Sequence, residues 1–137
     1  MIVVDASVAV KWLLPEPGDA AAQRLLTGGD SLLGAELIRV EVAAAIARKA
    51  RAGEIDAQDA ETAAELWLQA IADGVVTLVP DERDLPRALR LAIALNHPLQ
   101  DCLYLALAER LGAALITADE RFVTKAGPSH PEVCLLS

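Results

Sequence analysis

Short runs of β-branched and aliphatic residues punctuate this chain, separated by longer stretches in which alanine, leucine and charged residues recur at helical spacing. Ile2 to Val4 is such a run and stops at Asp5. Ser7 to Leu14 then reads as helix until Pro15, whose ring and missing N–H end it. Residues 18 to 27 form a second short helix closed by Gly28-Gly29, and Ser31 to Leu33 is a weak strand candidate. Glu36 to Ala52 is an alanine-rich helix with Gly53 past its end; Asp56 opens another, which Gly74 terminates. Val75 to Val79, bounded by Gly74 and Pro80, is predicted as a strand, and Asp84 to Leu95 as a helix ending near Asn96. Residues 100 to 111 are apolar on nearly every side except Glu109 and Arg110, which predicts a helix buried over most of its circumference. Gly112 ends it. Ala114 to Thr117 reads as a strand, Asp119 to Lys125 as a short helix and Val133 to Leu136 as a last strand.

Strands separated by helices imply a parallel sheet covered on both faces, a three-layer α/β/α sandwich. The 137 residues, without repeat or linker, are expected to form a single domain spanning 1–137. In such sheets ligands bind outside the carboxyl ends of the strands. Asp5 and Asp119 follow strands, whereas Glu41 and Asp101 fall in the first turns of helices, so all four acids are expected to share one crevice. Like charges about 5 Å apart repel by roughly 3 kcal/mol per pair at an effective dielectric near 20. The cluster therefore needs a cation, and a hard divalent ion such as Mg²⁺ suits oxygen ligands.

Each acid also has a structural reading. Asp5 can cap the first helix unless Ser7 does so and frees it; Asp101 stands near its helix start, and Thr117-Ala-Asp-Glu120 matches a capping box around Asp119. Glu41, flanked by Val40, Val42 and alanines, has a solvated helix face as its alternative. Their joint placement favours a site.

Apolar residues make up 54% of the chain and aromatics 3%, so the core must be aliphatic. Trp12 and Trp67 are expected to anchor the core or an interface, because so few aromatics cannot form a base-stacking surface. The net charge of -8 provides no global attraction for a polyanion, which would need a local basic patch. Arg39, Arg48, Lys49 and Arg51 crowd the segment around Glu41; Arg48 lies two helical turns further along the same face, and Lys11 is a further candidate phosphate contact. His97, four residues before Asp101, is within reach of the site, but between Asn96 and Pro98 it reads first as an exposed loop histidine; His130 beside Pro131 reads as loop. Cys102 and Cys134 are expected as buried free thiols. No leader-like start and no apolar run near the roughly 20 residues of a membrane span is present, so a cytoplasmic protein without a membrane role is expected.

Four segments resemble the PIN-domain family, most closely its VapC-type ribonuclease toxins: Ile2-Val-Val-Asp5-Ala-Ser7; Arg39-Val-Glu41-Val; Leu99-Gln-Asp101-Cys-Leu-Tyr-Leu-Ala-Leu-Ala; and Leu115-Ile-Thr117-Ala-Asp119-Glu-Arg-Phe122. The last two are specific in combination. The resemblance implies a five-stranded parallel sheet, one or two Mg²⁺ or Mn²⁺ ions bound by Asp5, Glu41, Asp101 and Asp119, and hydrolysis of RNA phosphodiester bonds. It implies supporting hydroxyls at Ser7 and Thr117, a homodimer, and a cognate antitoxin that blocks the site. Arg39, Arg48 and Lys11 are then candidate contacts to RNA or antitoxin. Two other readings compete: a PIN-like interaction module without catalysis, and a receiver-like phosphoryl-transfer protein using Asp5 and a lysine. The receiver fits poorly, because Val4 and Ala6 flank Asp5 where a second acid is wanted.

Overall fold

The computed structural model describes residues 1–137. Its five strands are β1 (Ile2–Val4), β2 (Leu32–Ala35), β3 (Thr77–Val79), β4 (Ala114–Thr117) and β5 (Val133–Leu135). The helices are α1 (Ala6–Ala9), α2 (Asp19–Thr27), α3 (Ile38–Arg51), α4 (Ala57–Ala72), α5 (Leu85–Leu95), α6 (Leu99–Leu111) and α7 (Glu120–Ala126). The first predicted helix is shorter than its pattern: α1 tightens into a 3₁₀ turn at Val10–Trp12 before Pro15. The weak strand near residue 31 sits slightly later than predicted and includes Gly34. An added Cβ there would come within 3.1 Å of Ile38 Cδ1, so the missing side chain lets α3 pack closely on β2.

All neighbouring strands are parallel, in the order β3-β2-β1-β4-β5. From central β1 the chain steps outward to β2 and β3, then crosses back to β4 on the other side. With right-handed crossovers this reversal sends the first four helices to one face and the last three to the other, completing the three-layer α/β/α sandwich. The reversal also opens a crevice between the carboxyl ends of β1 and β4, which lie in register at Val4 and Ile116.

The core runs through α6, where every residue from Cys102 to Ala108 is buried. This explains why residues 100 to 111 show no polar face. Trp67 is buried, with its indole N–H donating to Arg39 O at 3.1 Å, and Trp12 donates to Ala22 O at 2.9 Å. Of the two cysteines only Cys102 is buried; Cys134 lies half-exposed on the edge strand β5, contrary to expectation, because one side of an edge strand has no neighbour. No helix is long and apolar enough to cross a membrane.

Two ion pairs fasten α5 to α6, exposed Arg87–Glu109 and a second in which Arg110 donates through Nε and Nη2 to both oxygens of Asp84, the buried residue that opens α5, at 2.7 and 2.9 Å. Arg110→Ala should leave that carboxylate without its partner and destabilise the fold by about 2–3 kcal/mol. Chemical denaturation at neutral pH measures this directly, and a change below about 0.5 kcal/mol, the size usual for plain surface substitutions, would place the pair among ordinary surface contacts.

Candidate active site

At the crevice between β1 and β4 lies a cleft of about 700 Å³ lined by Asp5, Glu41, Asp101 and Asp119 together with Ser7 and Arg48. The fold delivers each acid from a different element. Asp5 ends β1 and caps α1, its Oδ1 accepting from Val8 N at 3.3 Å. The cap is therefore Asp5 rather than Ser7. Ser7 Oγ instead donates to Asp5 Oδ1 at 2.5 Å and accepts from Ala118 N at 2.9 Å, stitching α1 to the turn after β4. Thr117 Oγ1, at the end of β4, donates to Asp5 Oδ2 at 2.5 Å and accepts from Asp119 N at 3.1 Å. Asp119 in turn caps α7 through Oδ1, which accepts from Phe122 N at 3.2 Å.

The other two carboxylates enter from helices. Glu41, in the first turn of α3, accepts at Oε1 from the Tyr104 hydroxyl at 2.6 Å. Asp101, in the first turn of α6, has Oδ2 2.6 Å from His97 Nε2. This corrects the reading of His97 as an exposed loop residue. It is buried at 7% exposure and stacks on Phe122 with ring centroids 4.6 Å apart, because the turn between α5 and α6 folds over the last helix. The sequence offers the His97 contact as its lesser alternative, four residues before Asp101 across a helix start; the Tyr104 contact escapes it, although Tyr104 follows Asp101 by only three residues. His130 lies elsewhere, with Nδ1 3.0 Å from Glu109 and 3.8 Å from Glu132.

Burial dominates the electrostatics. It pushes the Asp5 carboxyl from 3.8 up to about 6, against the lowering effect of Ser7 and Thr117, while the charge of Asp101 adds to the rise. Burial raises Glu41 as well, with Asp101 contributing, and raises Asp101, with Asp119 contributing. Burial and the Glu41 charge push the Tyr104 hydroxyl far up, so it remains a neutral donor. Asp5 has no cationic side chain as partner; its hydrogen bonds come from hydroxyls and a backbone amide.

The cleft's cations are mostly committed elsewhere. Lys11 Nζ lies 3.0 Å from Glu16 and 2.8 Å from Pro17 O, while Lys49 Nζ lies 2.8 Å from Glu16 and 3.4 Å from Glu54. Arg48 lines the cleft without a carboxylate partner, and its charge acts on Glu41. Arg39 is exposed and outside the cleft lining, so the structure separates it from the other candidates. Asp81, the acid after β3 that a receiver-like protein would use, accepts from Leu37 N at 3.1 Å and holds the start of α3 instead.

The residues present fit a hard divalent cation: carboxylates from four elements face one cleft, and carboxylate oxygens of Asp101 and Asp119 lie within 4.8 Å of each other. A parallel sheet with an acidic cleft at its switch point defines an α/β protein of the cation-binding kind. The PIN domain family model matches residues 2–128, and this chain belongs to the PIN-domain family. It is 35% identical over 121 residues to ribonuclease VapC9 of Mycobacterium tuberculosis, covering 88% of this chain and 87% of that protein. A chain of a toxin-antitoxin complex from Klebsiella pneumoniae has the same fold with a TM-score of 0.70 at 14% identity, covering 100% of this chain and 97% of its own length. VapC20 of Mycobacterium tuberculosis, a toxin that cleaves the sarcin-ricin loop, matches with a TM-score of 0.68 at 18% identity, covering 97% and 98%.

The raised pKa of Asp5 has a thermodynamic consequence for the metal-free protein. Between 3.8 and about 6 the folded chain holds a proton that the unfolded chain has released. Stability from this group is therefore fully present below about pH 4 and lost as pH rises through about 6, by roughly 3 kcal/mol. In chelator-treated protein, wild type should lose about 2–3 kcal/mol relative to Asp5→Asn between pH 4 and 7. Urea unfolding of both proteins across that range measures the difference, and a constant gap would mean that Asp5 keeps an ordinary pKa.

Proposed function

We propose that this chain, acting as one domain spanning 1–137, is a metal-dependent endoribonuclease and the toxin of a VapBC-type toxin-antitoxin pair. The observation that carries the reading is the meeting of Asp5, Glu41, Asp101 and Asp119 in one cleft of a chain 35% identical to a VapC ribonuclease. In this reading those four carboxylates hold one or two Mg²⁺ or Mn²⁺ ions. Such an ion, when bound, supplies Lewis acidity toward a phosphodiester oxygen and toward the attacking water. The chain's own residues do the positioning. Ser7 and Thr117 fix both oxygens of Asp5, and Tyr104 fixes one oxygen of Glu41. Arg48 offers a guanidinium free to contact an RNA phosphate. Lys11 reaches phosphate only by giving up Glu16, which makes it a weaker candidate.

The proposal extends to a homodimer in the cytoplasm and to a cognate antitoxin that blocks the cleft. The fold shared with a chain of a toxin-antitoxin complex supports an antitoxin partner. A carboxylate presented by that partner would find Arg48 unpaired.

Cleavage of single-stranded RNA with Mg²⁺ or Mn²⁺, and its loss in EDTA, tests the reading. Asp5→Asn, Glu41→Gln and Asp101→Asn should each lower the rate by on the order of 100-fold or more, about 3 kcal/mol of transition-state stabilisation. Asp119→Asn should be milder, since asparagine also caps a helix. Circular dichroism establishes that each variant is folded. Cleavage undiminished by EDTA or by the first three substitutions sinks the proposal, and a folded, metal-binding but inactive wild type would favour a non-catalytic module.

The electrostatic part is tested separately. Arg48→Ala should weaken RNA binding and reduce the slope of log affinity against log salt by about one phosphate contact, roughly 0.7 for a single strand. Metal-induced thermal stabilisation should persist and not fall, since the lost guanidinium is a positive charge beside Glu41. An unaltered salt slope would route the RNA away from Arg48.

A further inference from the structure

Asp101 is held differently from Asp5. Its Oδ2 lies 2.6 Å from His97 Nε2, and its Oδ1 receives no protein donor although the residue lines the cleft. His97 is itself tightly constrained. Its amide donates to Ala92 O at 3.1 Å, and the preceding Asn96 adopts the left-handed conformation (φ 50) that turns the chain out of α5. Lys125 Nζ, from α7, reaches Asn96 O at 2.5 Å. The imidazole stacks on Phe122, whose own amide donates to Asp119 Oδ1, so one buried stack joins the helices that carry Asp101 and Asp119.

The ring's second nitrogen decides between two roles. His97 Nδ1 is buried and has no hydrogen-bond partner. Were Nε2 a metal ligand, the proton of the neutral ring would sit on Nδ1 as a buried N–H without an acceptor, a rare and costly arrangement. With the proton on Nε2, that nitrogen donates to Asp101 and only a lone pair goes unmatched. Resting on the metal-centre reading above, we infer that His97 is a positioning residue: its Nε2–H clamps Asp101 Oδ2 so that Oδ1 is presented to a divalent cation in the cleft. Outer partners of this kind typically alter metal affinity 10- to 100-fold when removed. A merely structural clamp at the start of α6 would alter stability and leave metal affinity alone.

The test uses the full chain stripped by chelator and Mn²⁺ as probe, with affinity measured by calorimetry and free-ion electron paramagnetic resonance. His97→Phe keeps a ring on Phe122 but removes the donor; it should weaken Mn²⁺ binding about 10- to 100-fold with an unchanged circular dichroism spectrum. His97→Gln, whose amide nitrogen falls near the position of Nε2, should restore affinity to within a few-fold of wild type. If His97→Phe does not fold, His97→Asn, too short to reach Oδ2, takes its place with the same expected loss. Electron spin-echo measurements on the Mn²⁺-loaded wild type should show no directly bound histidine nitrogen. Wild-type affinity in His97→Phe, failure of glutamine to rescue, or a directly coordinated nitrogen each overturns the inference while leaving the metal centre standing. Absence of Mn²⁺ binding by wild type removes both.

Discussion

A carboxylate buried where two parallel strands diverge is the constraint around which this cleft is organised. Asp5 sits at 5% exposure at the end of β1, with three donors and no cation. Burying an ionised carboxylate on these terms is unfavourable, and the rise of its pKa to about 6 is the measure of that cost. Ser7 and Thr117 come from elements on either side of the switch point, so the hydrogen bonds that make Asp5 tolerable also lock α1 against β4. Without Asp5 those hydroxyls lose their common acceptor; without them the buried carboxylate would keep only the Val8 amide as donor.

The same economy runs through the other acids. A carboxylate has two oxygens, so holding local structure and facing a ligand are compatible tasks for one side chain. Asp119 uses Oδ1 for the Phe122 amide, Glu41 uses Oε1 for Tyr104, and Asp101 uses Oδ2 for His97. Each acid is thereby oriented by one contact on one oxygen. Treating capping and ligation as rivals, as a sequence reading naturally does, sets apart functions that the geometry combines.

This accounts for what could be read in advance. The strands and helices were legible because the chain has strong local punctuation: Gly53, Gly74, Asn96 and Gly112 stop elements where the structure stops them. The convergence of Asp5, Glu41, Asp101 and Asp119 was legible because in a parallel sheet every strand end and returning helix start points to one edge. Less legible was anything decided by long-range packing. The strand at β2 contains Gly34 because Ile38 needs the space. His97 looked exposed because a histidine between asparagine and proline is locally a turn residue, and only the docking of α7 buries it against Phe122. Tyr104 hid in an apolar helix whose every neighbour is core. Arg39 and Arg48 looked alike in sequence, yet nine residues along α3 amount to two and a half turns, enough to leave Arg39 outside the cleft that Arg48 lines.

The acidic balance of the chain is less opposed to a polyanionic substrate than the net charge of -8 suggests. At physiological ionic strength the Debye length is about 8 Å, so exposed acids distant from the cleft are largely screened where a phosphate would sit. What matters is the local sum. Lys11 and Lys49 share Glu16, with Glu54 as a second partner for Lys49, and the four cleft acids oppose any anion that approaches them bare. A divalent cation among those acids would offset part of that charge and present a positive centre to a phosphate oxygen, and Arg48 lines the same cleft. An acidic surface opposes indiscriminate nucleic-acid binding by the metal-free protein, so in the proposed reading a phosphodiester's access would depend on a cation held by the four acids, with Arg48 lining the same cleft.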